Sequence, residues 1–147
     1  MQNVLLTVRG RQLYEDQEPE VIELVTEGIL TQLEDGWNIS YQESVLTGLE
    51  GVTTEFRLQP GKITLTRTGK LNSQMVFEIG VLHESLYQME FGALLIEVCA
   101  VHLDYSVTRE GGTVDLAYRI NIEHSAGGIV EYCLDIKPNE NKTGCAV

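Results

Sequence analysis

Residues 63–92 read ITLTRTGKLNSQMVFEIGVLHESLYQMEFG, and the alternation inside this stretch decides the fold. Ile63, Leu65 and Arg67 fall on one face of an extended chain, with Thr64, Thr66 and Thr68 on the other, the period of two that marks a half-buried strand. Gly69 breaks the run. Met75, Phe77 and Ile79 repeat the pattern as far as Gly80, and Tyr87, Met89 and Phe91 as far as Gly92. Three short alternating runs in thirty residues, each closed by glycine, read as consecutive strands.

The same grammar extends in both directions. Upstream, Val52, Thr54, Phe56 and Leu58 share a face ahead of a Pro60-Gly61 turn, and Trp37, Ile39, Tyr41 and Glu43 share one behind an Asp35-Gly36 hairpin signal. Val4, Leu6 and Val8 alternate near the start. Downstream, ALLIEVCAV (93–101) is apolar on both faces, as a covered strand would be. Gly111-Gly112 turns into Val114, Leu116, Tyr118, Ile120 and Ile122, and Gly127-Gly128 turns into Val130, Tyr132, Leu134 and Ile136. One segment resists this reading. Over residues 20–34, Ile22, Val25, Ile29 and Leu33 recur at helical spacing, while the β-branched residues and Gly28 favour a strand. The pattern leaves helix and strand open there.

An all-β chain follows, a single antiparallel meander of about 8–10 strands closed into a β-barrel, because an open meander of that size exposes sticky edges. A two-sheet sandwich is the alternative. The barrel domain is assigned to residues 1–138, and the polar residues 139–147 to a flexible C-terminal tail.

Composition narrows function by exclusion. Ten Lys and Arg against 22 Asp and Glu give a net charge of −12, a field that repels nucleic acid and anionic membrane surfaces. The N-terminus, MQNVLLTVRG, has neither the basic head of a signal peptide nor the length of a membrane span. The expected setting is cytoplasmic, with Cys99, Cys133 and Cys145 as free thiols and the Asn141 sequon without meaning. The acidic YEDQEPE loop (14–20) reads as a solvated surface. No oligomeric state is legible.

The intervals between Arg67-Thr68-Gly69, Phe77, Gly80 and the YQMEFG block at 87–92, together with Thr26-x-Gly28 and Tyr41-x-Glu43, resemble the YwiB-like family of small bacterial β-barrels of unassigned function. The likeness runs from Val4 to Pro138. It implies a calycin-like barrel, the architecture shared with lipocalins, and a strand bent at Gly28 over residues 21–33. The chain departs from the family pattern at Ile29 and Leu30, which stand where aromatic residues are common. The resemblance supplies no catalytic residues.

One constellation has chemical content. Arg67 shares strand parity with Ile63 and Leu65, so it points inward, where a guanidinium requires a carboxylate or an anionic ligand. Glu43 is the internal candidate, and Arg67 reaching solvent along its stem is a third arrangement. As a site, Arg67 with Glu43 and a phenol from Tyr41, Tyr87 or Tyr118 would hold the head of a small amphipathic or anionic molecule. Its tail would lie against Phe56, Met75, Phe77 and Met89. The alternative is a filled barrel acting through protein contacts. An enzyme using Glu43 with a tyrosine as acid and base is the least favoured reading. His83, His102 and His124 are scattered, and no GxSxG, HExxH or CxxC pattern occurs, so neither a metal nor a cofactor is expected.

Overall fold

The structure, a computed structural model, describes residues 2–13, 18–44, 49–89 and 91–139. Ten strands follow one another: β1 (Gln2–Leu13), β2 (Glu20–Leu33), β3 (Gly36–Gln42), β4 (Val52–Gln59), β5 (Lys62–Gly69), β6 (Ser73–Phe77), β7 (Leu82–Met89), β8 (Gly92–Thr108), β9 (Gly111–Ile122) and β10 (Ser125–Pro138). They form one antiparallel sheet in the order β6-β5-β4-β3-β2-β1-β10-β9-β8-β7. The two end strands, β6 and β7, are consecutive in sequence. They are brought together by the bridges Asn72↔Gln88 and Glu78↔Val81, while Ile79 bridges Ala100. A nearly closed barrel of the calycin-like kind results.

The ambiguous segment is therefore strand. Of the apolar residues at helical spacing, Val25 and Ile29 lie on the outside, Ile22 is half exposed at the rim of a small interior cavity on the same side as Leu24, and Leu24 and Leu30 point into the core. A cross-strand neighbour enforces this. A Cβ on Gly28 would lie 2.6 Å from Leu6 Cδ1 and 2.8 Å from the Ser40 carbonyl oxygen, so only glycine lets β1 and β3 close on β2 there. Leu30 lines the interior and Ile29 does not.

Two turns differ from the sequence expectation. Leu33 pairs with Gly36, so the β2–β3 turn is Glu34-Asp35 and Gly36 already belongs to the strand, under the Leu58 carbonyl. The β9–β10 turn is made by Glu123 and His124, both at positive φ (50° and 66°). That is the twist a two-residue hairpin requires. Gly127-Gly128 instead sits in the irregularity of β10 between Ala126 and Ile129. Ile79, expected to end the run of Met75 and Phe77, is exposed in its bridge to Ala100, and Phe91, expected to end that of Tyr87 and Met89, is an exposed turn residue.

The core is assembled from inward rows across the sheet. Val4, Leu6, Ile39, Phe56, Leu58, Ile63, Leu65, Phe77, Leu134 and Ile136 are fully enclosed. Charged side chains occupy the outer face, with pairs such as Arg9–Glu23, Arg11–Glu131 and Arg57–Asp35. Just after β10, Asn139 is buried and donates its backbone N–H to the Asn3 carbonyl, so the folded unit includes this first residue of the expected tail. Residues 140–147, with Asn141 and Cys145, lie outside the described residues, as do residues 14–17 of the acidic loop.

Candidate functional site

One row of paired positions crosses five strands: Gly28 with Tyr41, Tyr41 with Thr54, Thr54 with Arg67, and Arg67 with Ser73. Directly opposed residues point to the same side of a sheet, so this row places polar groups inside an otherwise apolar barrel. Arg67 is only 7% exposed. Its Nη2 donates a hydrogen bond to the Tyr132 hydroxyl at 2.9 Å, and its Nε–H is buried with no acceptor. Glu43, just past the end of β3, is 8% exposed and accepts a hydrogen bond from the Thr54 hydroxyl. Arg67 takes part in none of the ion pairs among the described residues.

Arg67 and Tyr132 together border two cavities. The smaller, about 100 Å³, is lined by Tyr41, Glu43, Leu24 and Val8 among others. The larger, about 300 Å³, is lined by Met75, Tyr87, Tyr118, Leu94, Ile96 and Val130 among others. The residues expected to form one site are thus divided around the guanidinium, with Tyr41 and Glu43 on one side and Tyr87, Tyr118 and Met75 on the other. Phe77 and Phe56 line neither cavity. Phe77 packs on the Tyr118 ring at a centroid distance of 4.4 Å, and Phe56 meets Tyr132 edge-on at 6.0 Å. They support the walls from behind. Met89 belongs to β7, and its side chain lies outside the described part of the structure.

Tyr132 is the participant that the sequence reading left out of the site. Its parity with Leu134 and Ile136 on β10 was the available signal. Gly10, its paired residue on β1, leaves room for the ring, which lies 3.5 Å from where a Cβ would stand.

The electrostatics follow from enclosure. Burial works against the Arg67 charge, while the phenols of Tyr132, Tyr118 and Tyr87 and the hydrogen bond to Tyr132 work the other way and keep its pKa above the ordinary value. Arg67 is a fixed cation. Burial pushes Tyr41 and Tyr118 well above the usual phenol range. The neighbouring Glu43 and Tyr132 add to the shift at Tyr41, Tyr132 and Tyr87 add to it at Tyr118, and Arg67 opposes it at both. Tyr87 is raised as well, chiefly by burial.

A folded state that holds these protons more tightly than the unfolded chain is favoured below the ordinary phenol pKa of about 10 and loses that advantage as the pH rises above it. Alkaline titration followed by phenolate absorbance and circular dichroism is therefore expected to ionise Tyr41 and Tyr118 only in the step that unfolds the barrel. Smooth ionisation of all six tyrosines with the fold intact would count against this arrangement.

Among the described residues no cluster of His, Cys, Asp and Glu is placed to hold a metal ion. His83 meets Glu78 at 3.0 Å near the β6–β7 turn, and His124 lies 3.5 Å from Glu97 on the surface.

A family model described as a domain of unknown function, DUF1934, matches residues 6–136. The chain belongs to the DUF1934 family. The crystal structure of the ywiB protein from Bacillus subtilis superposes with a TM-score of 0.83 at 22% sequence identity, covering 94% of this chain and 92% of that one. The shared fold is the sheet described above, a DUF1934 barrel closed between β6 and β7. No curated protein matches the chain.

Proposed function

We propose that this DUF1934 barrel binds a small amphipathic or anionic molecule in its interior, with the head at Arg67 and the tail among Met75, Leu94, Ile96 and Val130. The observation that carries this reading is a buried guanidinium, one N–H without an acceptor, at the wall of a cavity of about 300 Å³. An enclosed charge is costly unless something answers it, and the cavity is at the lower end of the size range of ligand sites. The outward strand positions carry charges and the inward ones are apolar, the inverse of a membrane barrel. Together with the free thiols Cys99 and Cys133, this supports a cytoplasmic setting.

A second reading, a filled barrel acting through protein contacts, draws on the exposed apolar residues Val21, Val25 and Ile29 on the outer face of β2.

The test is native mass spectrometry of gently purified protein, joined to melting-temperature shifts with octanoate, octyl phosphate and octanol. A copurifying small molecule, or a shift with an anionic probe that Arg67→Met abolishes, is the expected result. Absence of both overturns the binding reading and leaves the protein-contact one.

A further inference from the structure

Among the described residues, Arg67 and Tyr132 are the only two that line both cavities. Their strands, β5 and β10, stand five places apart in either direction round the ring. The hydrogen bond from Arg67 Nη2 to the Tyr132 hydroxyl therefore crosses the lumen from one wall to the opposite one. Side chains that meet across a small barrel fill and divide its interior. Val8, Leu24 and Leu49 are left with the space of about 100 Å³ on one side of this bar, and Met75, Ile96 and Val130 with the space of about 300 Å³ on the other.

The bar is held in place. The Tyr132 ring meets Phe56 of β4 edge-on, with centroids 6.0 Å apart, and lies 3.5 Å from where a Cβ on Gly10 of β1 would stand. A ring packed against two walls cannot swing aside without losing contacts on both. On the larger-cavity side, Tyr87, Tyr118 and Tyr132 are each near enough to the guanidinium to act on its charge, and the Tyr118 ring is itself seated on Phe77 at 4.4 Å. The carbon next to a head group at Arg67 thus lies among rings, and a branch there has the smaller cavity to enter, with Tyr132 in the way. At about 30 Å³ per water-sized group, the larger cavity takes roughly ten non-hydrogen atoms and the smaller roughly three, the size of a propyl branch.

Resting on the binding reading above, we infer that Tyr132 is a specificity-determining residue: its ring walls off the smaller cavity beside the head-group position, so the site takes an acid whose chain is unbranched next to the carboxylate and rejects the branched isomer.

Octanoate and 2-propylpentanoate test this, because they share formula and charge and differ only in branching. Calorimetry on the full chain is expected to show octanoate binding about tenfold or more tightly, the value of about two methylene groups left unburied. In Tyr132→Ala the cavities join, a propyl branch can enter the smaller one, and the preference is expected to fall to within about threefold. Tyr132→Phe keeps the ring and loses only the hydroxyl, so the preference should stay near its wild-type value. Both acids are read on the same variant, so a general loosening of the barrel cancels in the ratio. If Tyr132→Ala does not fold, Tyr132→Leu, which shortens the side chain and keeps it apolar, carries the same expectation. Equal affinities or the reverse order on the wild-type chain overturn the inference, as does a preference that survives the shortened side chain or is lost in Tyr132→Phe. Those outcomes leave the binding reading standing. Failure of both acids on the wild-type chain overturns the inference too, and, joined to the absence of any copurifying molecule or melting-temperature shift, it overturns the binding reading itself.

Discussion

Arg67→Met is expected to leave the barrel folded, to change its stability by between zero and about 2 kcal/mol in the stabilising direction, and to weaken binding of an anionic probe by about a hundredfold or more. Methionine keeps a long flexible stem that can fill the space left by the arginine, and it removes the desolvation penalty of a side chain that is 7% exposed with an unanswered Nε–H. The lost hydrogen bond leaves the Tyr132 hydroxyl at the border of both cavities, where water can replace the donor. Urea unfolding gives the stability and calorimetry with octanoate gives the binding. The opposite pattern decides equally clearly. If Arg67 instead locks the fold electrostatically, deleting the charge strands its partner and costs about 3–5 kcal/mol.

That contrast is sharp because of where the cation's contacts go. The sequence offered Glu43 as the internal counter-charge. In the folded chain the direct contact of the guanidinium is a phenol, Tyr132, and Glu43 is engaged by Thr54. A neutral phenol accepts a hydrogen bond without cancelling charge. The barrel thus keeps a cation inside at a thermodynamic cost, and that cost is the basis of the proposed anion binding.

The inward direction of Arg67 was legible because period-two parity is local: Ile63 and Leu65 fix the face, and one residue of slip would reverse it. The same logic correctly placed Tyr41, Glu43, Thr54 and Phe56. It failed where tertiary neighbours overrule local pattern. Residues 20–34 read partly as a helix because Ile22, Val25, Ile29 and Leu33 recur at helical spacing, yet Val25 and Ile29 stay outside while Ile22 faces the cavity rim, and the strand is enforced by Gly28 meeting Leu6 and Ser40 from strands on either side. Glu123-His124 escaped notice as a turn because neither residue is glycine, although both adopt positive φ. The division of the site into two cavities was invisible for a different reason. It depends on how Phe56, Phe77 and Tyr132 pack, and parity carries no information about volume.

Gly69→Ala is expected to cost about 4 kcal/mol or more, among the largest effects of any single change here, and to lower the melting temperature by roughly 8–16 °C at about 2–4 °C per kcal/mol. Gly69 ends β5 with φ near +121°, outside the small left-handed basin open to other L-residues, and a Cβ there would stand 2.3 Å from the Gly51 carbonyl oxygen. The obstruction is backbone, which cannot rotate away. Asn72 holds the corner from the other side, its Nδ2 donating to the Gly69 carbonyl at 3.2 Å, so the strand cannot shift outward without breaking that contact. Gly61→Ala is the control. Its φ of +70° lies near the left-handed basin and a Cβ meets nothing within 4 Å, so the cost should be only about 1–2 kcal/mol. Urea melts of the two variants separate glycine needed for a close backbone approach from glycine needed for a turn alone. Because Gly69 lies two residues beyond Arg67 and holds β5 against β4, partial unfolding at this corner should also release the guanidinium from Tyr132, and equal costs at Gly69 and Gly61 would show that the close approach to Gly51 does not constrain the corner.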